Sequence, residues 1–249
     1  MDLNVNQLVQ TLAIYALPVL FAITLHEAAH GYVARHFGDM TAHAQGRISL
    51  NPIRHIDLIG TIVVPLVILF LSGYKFFFGW AKPVPVNYSA LRKPRQHMAW
   101  VAAAGPGANL VMALLWVVVL RLSIASSSRA DAWAEVAAQY GTGGLVDVVM
   151  RQGSGVAEYL IGVSAAGVLV NLVFMLLNLL PIPPLDGGRI VTSLLPRRAA
   201  GGFAKIERFG LPLLLILLFV PIYGSNAISL ILSPLIVESE ALMRAMVLL

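Results

Sequence analysis

The 249-residue chain has no cysteine, and only 12% of its residues are charged. Without cysteine there is neither a disulfide nor a thiolate ligand, so any metal must be held by imidazole or carboxylate. So little charge excludes a soluble globule of this size, whose surface needs far more polar residues. The opening "MDLNVNQ" carries no positive charge, and no small-residue cleavage site follows before residue 26, so the first apolar run is read as a retained span rather than a signal peptide. Internal repeats and low-complexity segments are also missing. The formal net charge of +5 is no argument for nucleic acid; in an apolar chain what matters is where the basic residues lie.

Hydrophobic residues make up 58% of the sequence. They gather in five uncharged runs, Val9–Leu25, Leu58–Tyr74, Met98–Leu120, Tyr159–Leu185 and Phe209–Val237. A helix needs about 20 apolar residues to cross the hydrocarbon core. The pattern predicts an all-α polytopic membrane protein with about four to six transmembrane segments. The second run is short and contains Gly60 and Pro65. The fifth is long and interrupted by Pro221 and Gly224, which predicts two short helices or one span plus an interfacial piece.

The first run ends in "LHEAAHGY", placing His26, Glu27 and His30 within five positions. On a helix, residues i and i+4 are offset by about 40° and one turn, so His26 and His30 share a face and can grip one ion. Zinc suits this pair, leaving room for a further protein ligand and a water, whose proton the neighbouring Glu27 can take. The alternative is that both histidines sit at the membrane interface with Glu27 reaching for water. Ionisable groups at membrane depth are costly, which favours a functional reading. His36, His43, His55 and His97 lack ligand-like spacing and are read as loop or interfacial residues.

A third donor is available in "NLLPIPPLDGGR", where Asp186 follows Pro181, Pro183 and Pro184 and precedes Gly187 and Gly188. The prolines force the chain to unwind, and irregular backbone at membrane depth is tolerated only inside protein or beside a water-filled cavity. Otherwise Asp186 is a solvated turn residue at the end of a span.

HEAAH at 26–30, together with Asn178, Pro181, Pro183, Asp186 and Gly187 in an N-x-x-P-x-P-x-x-D-G pattern, resembles the site-2 protease family of intramembrane zinc metalloproteases. "GRISLNPIRHIDLIGT" (46–61), "FGWAKPVPVN" (78–87) and "AAGPGAN" (103–109) resemble its compact prokaryotic branch, so the likeness covers most of residues 20–195. The resemblance implies that His26, His30 and Asp186 bind one zinc ion and that Glu27 is general base and acid. It also implies that Asn178 faces the cleft as a substrate or oxyanion contact. Asn109 is a further candidate polar contact, in a segment whose glycines and alanines are expected to pack helices closely. No stretch has the right length for the PDZ or CBS domains that many relatives carry. One protease domain is therefore expected over 1–249, with its core at 8–195 and C-terminal membrane segments at 196–249. Its partners would be the transmembrane segment of a substrate protein and the lipid bilayer, with no nucleic acid.

For the ligands to meet, the spans that end near His30 and Asp186 must run in the same direction. Lys and Arg number eight in 31–97, three in 121–158 and five in 187–208, so the ligand-bearing ends are expected on the cytoplasmic side of a prokaryotic cell membrane. Residues 31–97 must then begin and end on that side, which makes Leu58–Tyr74 a re-entrant element; the alternative is a full span that breaks the charge rule. "FGWAKPVPVN" is too rich in proline for a helix and is read as extended chain, either a β-loop that pairs with unwound substrate or a plain connector. Residues 121–158 are read as an external linker with a short amphipathic helix. A metal or proton transporter would spread ionisable groups through several spans at different depths, and a non-catalytic adaptor would have lost Glu27 or a ligand. Neither pattern is present.

Overall fold

A computed structural model describes residues 5–71, 79–153, 155–222 and 225–248. Three of its helices are long and apolar enough to cross a bilayer, and they form the scaffold: α1 (Val5–His36), α4 (Pro94–Ser126) and α6 (Val156–Leu179). Between the first two lie α2 (Thr41–Ala44), a π-helical turn over Leu58–Val63 and α3 (Val64–Leu71). After the third come α7 (Asp186–Leu194), α8 (Arg197–Ala204), α9 (Gly210–Phe219) and α10 (Ala227–Leu248); α5 (Ala130–Gln152) connects α4 to α6. The two short strands among the described residues, Pro221–Ile222 and Ser225–Asn226, pair antiparallel between α9 and α10. The fifth apolar run, expected as two short helices or one span plus an interfacial piece, holds a short helix before Pro221 and the start of a longer one after it; Gly224 lies outside the described residues.

Helix α4 packs against α1, α6 and α7, which makes it the wall shared by every site-bearing element. Close approach depends on small residues, as expected where lipid offers no hydrophobic drive for helix association. A Cβ at Gly167 of α6 would stand 2.4 Å from the Trp116 ring of α4, and one at Gly162 would stand 2.8 Å from Val149 of α5. In "AAGPGAN" this role falls to Gly105, because a Cβ at Gly107 would meet nothing within 4 Å.

The linker reading of 121–158 is corrected. Trp133, Ala137, Leu145 and Val146 of α5 are buried in the main core with Leu120, Ile161 and Leu172. Helix α5 breaks at Gly141, whose φ of +67° suits glycine. The N–H groups of Thr142 and Gly143, freed by the break, donate to Glu240 Oε1 of α10 at 2.8 and 3.1 Å. Sequence periodicity could not reveal this partner, which lies on a distant helix.

The prolines of 79–87 exclude helix, and among the described residues the segment pairs with no strand. Trp80 N–H donates to the Gly60 carbonyl at 3.0 Å and Lys82 N–H to that of His55 at 2.9 Å, so the chain that follows the second apolar run lies beside the start of that run and the residues just before it. The other end of the segment is tied by Asp39, which is fully buried. Its Oδ2 accepts from Asn87 N–H at 2.6 Å and its Oδ1 from Thr41 N–H at 2.9 Å. Hydrogen bonds to a charged group contribute about 1.5–3 kcal/mol each, so Asp39→Ala, which removes two, is expected to lower stability in detergent by about 3–6 kcal/mol. Thermal unfolding monitored by circular dichroism measures it; an unchanged midpoint would show that the tie carries no energy.

Candidate metal centre

His26 and His30 project from one face of α1, which runs on to His36 instead of ending at the motif. Both are buried, with 8% and 7% exposure. Asp186 is not part of the α6 span. The break at residues 180–185 separates them, and Asp186 opens α7 with 5% exposure. The glycines after it are steric necessities: a Cβ at Gly187 would lie 2.3 Å from the carbonyl oxygens of Leu179 and Leu180, and one at Gly188 would lie 2.5 Å from Pro183 N. Folding α7 back onto the end of α6 brings the carboxylate to α1.

The three predicted donors meet. His26 Nε2 and His30 Nε2 are 3.1 Å apart, and Asp186 Oδ2 is 3.2 and 3.3 Å from them. Tetrahedral ligands at about 2.0–2.1 Å from one ion stand about 3.3 Å from each other, so this spacing fits zinc. The protonation pattern fits as well. His30 Nδ1 lies 2.7 Å from the Val101 carbonyl, which can only accept, so the proton sits on Nδ1 and Nε2 presents a lone pair. His26 Nδ1 has Asn109 Oδ1 at 2.6 Å. Two lone pairs and a carboxylate oxygen would then face one another, and the buried Asp186 Oδ2 has no hydrogen-bond partner. A shared cation resolves that arrangement.

The centre forms one wall of a cleft of about 420 Å³, within the ordinary range for a ligand site. Glu27 and Asn178 also line the cleft. Glu27 Oε2 accepts from Val84 N–H at 2.7 Å, so the proline-rich segment holds the carboxylate in place. Asn178 Nδ2 donates to the Phe174 carbonyl at 3.0 Å. Asn109 lies elsewhere, fully buried behind His26.

Sequence reasoning missed three contributors. Val101 holds His30 through its backbone, which leaves no trace in residue type. Gly105, read only as a packing residue, is the floor of the site: a Cβ there would stand 2.5 Å from both Nε2 atoms. Arg189, three residues after Asp186, lines the cleft, with its guanidinium 5.9 Å from the Tyr88 ring and 3.5 Å from Glu207 Oε1.

Membrane-crossing helices around a buried His–His–Asp cluster with an adjacent glutamate define an intramembrane metalloprotease. The sequence pattern of peptidase family M50, the site-2 proteases, matches residues 14–221, and the chain belongs to that family. It is 36% identical over 204 residues to YwhC of Bacillus subtilis, named as a zinc metalloprotease, across 82% of this chain and 79% of the relative. Rip2 of Mycolicibacterium smegmatis and Rip2 of Mycobacterium tuberculosis, named likewise, are 26% and 27% identical over 202 residues. Those matches cover 81% of this chain and 65% of each mycobacterial protein. No solved structure gives a significant match.

Proposed function

We propose that this intramembrane zinc metalloprotease holds its zinc with His26, His30 and Asp186 and uses Glu27 as general base and then general acid. The convergence of three ligand atoms at 3.1–3.3 Å, from α1 and α7, carries the reading. Bound there, zinc supplies a Lewis acid that makes water nucleophilic near neutral pH and polarises a scissile carbonyl. Glu27, steadied by Val84 N–H, accepts the proton of the attacking water and returns it to the leaving amine. One N–H of Asn178 is committed to Phe174; the other is offered to the substrate carbonyl.

The substrate is a transmembrane segment of another protein, locally unwound, because a helix hides its carbonyls in its own hydrogen bonds. Residues 1–249 act as one catalytic unit, with the core at 8–195 and the C-terminal segments packed against it. The excess of Lys and Arg in 31–97 and 187–208 supports a site on the cytoplasmic side of the cell membrane. It also supports a re-entrant second run, as does the pairing of Trp80 with Gly60 and Lys82 with His55.

The test is reconstitution of the purified protein with a single-span substrate. Cleavage within the span, one equivalent of zinc per chain, and loss of activity on chelation with recovery on zinc addition are expected. A folded protein that takes up no zinc and leaves such substrates intact would sink the assignment.

A further inference from the structure

The two imidazoles of the centre are oriented by different devices. His30 Nδ1 faces a backbone carbonyl, which cannot turn over. His26 Nδ1 faces the side-chain amide of Asn109, and an amide rotated by half a turn presents NH₂ in place of oxygen. In that state His26 Nδ1 would have to accept, its proton would move to Nε2, and one metal ligand would be lost. Something must hold Asn109 the right way round.

The next residue in the chain of hydrogen bonds does so. Asn109 Nδ2 donates to Asn171 Oδ1 at 3.0 Å and, more weakly, to the Ala22 carbonyl at 3.4 Å. Asn171 Nδ2 donates to the Gly167 carbonyl at 2.8 Å. Direction is set at that backbone end. The Gly167 carbonyl can only accept, so Asn171 gives it a hydrogen and turns its own oxygen to Asn109. Asn109 gives a hydrogen to that oxygen and turns its own to His26. Both asparagines are fully buried, so bulk solvent offers no competing partners. Three helices share the relay, with His26 on α1, Asn109 on α4 and Asn171 on α6.

We propose that Asn171, which touches neither metal ligand nor cleft, is a positioning residue that sets the tautomer of His26 through Asn109. This rests on the metalloprotease reading of the site, and it gives Asn109 a place behind the metal rather than against the substrate. Removing metal-site partners beyond the direct ligands typically costs 10- to 100-fold in affinity. The experiment is zinc affinity of the purified full chain in detergent, measured by chelator competition, for the wild type and four variants. Asn109→Leu should weaken zinc by about 100-fold and Asn171→Leu, one step further out and nearly isosteric, by about tenfold. Asn171→Asp keeps an oxygen facing Asn109 Nδ2 and should stay within about threefold of wild type, whereas a purely packing role makes this buried charge the worse of the two substitutions. Adding Asn171→Leu to Asn109→Leu should cost nothing more, because the relay is already cut.

Wild-type affinity in Asn171→Leu, or additive losses in the double variant, would overturn the proposal while leaving the protease reading intact. A folded wild type that takes up no zinc overturns both. If Asn171→Leu does not fold, Asn171→Ala removes the same oxygen without filling its space and is read by the same criteria.

Discussion

Glu27→Gln is expected to retain one equivalent of zinc and to lose about 10²- to 10⁴-fold in cleavage of a reconstituted single-span substrate, the range a positioned proton-transfer group contributes. Glutamine has nearly the same shape and still offers an oxygen to Val84 N–H, so the bond that steadies residue 27 survives. What disappears is the capacity to take a proton from water and give it to the leaving amine. The atoms converging on the metal position belong to His26, His30 and Asp186, so metal content should not follow activity. Zinc analysis and a cleavage assay on the same preparation separate the two. Hydrolysis at wild-type rate would remove Glu27 from the mechanism, and loss of zinc would make it a ligand instead.

Gly105→Ala tests a consequence that only the packing reveals. Alanine is the better helix former, so propensity alone predicts a small gain in stability for α4. The added methyl, however, would lie 2.5 Å from His26 Nε2 and from His30 Nε2, closer than carbon and nitrogen can approach. The rings must shift, and both are anchored at their other nitrogens by Asn109 and Val101, which leaves little freedom to shift usefully. A displacement of about 1 Å in a reacting constellation costs on the order of 10²-fold, so cleavage below about 1% of wild type and much weaker zinc binding are expected with helix content unchanged. Full activity in a folded Gly105→Ala protein would mean that the rings adopt another arrangement.

These two variants mark how far the residues could be read without coordinates. Glu27 was legible because HExxH is a local pattern: helical geometry puts i and i+4 on one face whatever surrounds them. Asp186 was legible for a different reason, since prolines and glycines around an acid at membrane depth require an interior that can accommodate unwound backbone. Gly105 was visible only as a small residue in a span, and small residues in spans usually serve helix packing. Asn171 lay unnoticed in an apolar run, and α5, read as a linker, is part of the core.

By itself the sequence determined the class of the protein: too little charge for a soluble surface, apolar runs long enough to cross lipid, and a metal-binding pair whose spacing is that of one helical turn. Those are properties of composition and of short-range geometry, and they survive whatever the rest of the chain does. Tertiary structure decided which distant atoms meet. Asp186 beside two rings on α1, Gly105 beneath them, Asn171 behind Asn109 and Val84 against Glu27 are all contacts between separate elements. Each is fixed by how the helices pack and where the chain turns back, and neither of these can be read from the order of residues along a single segment.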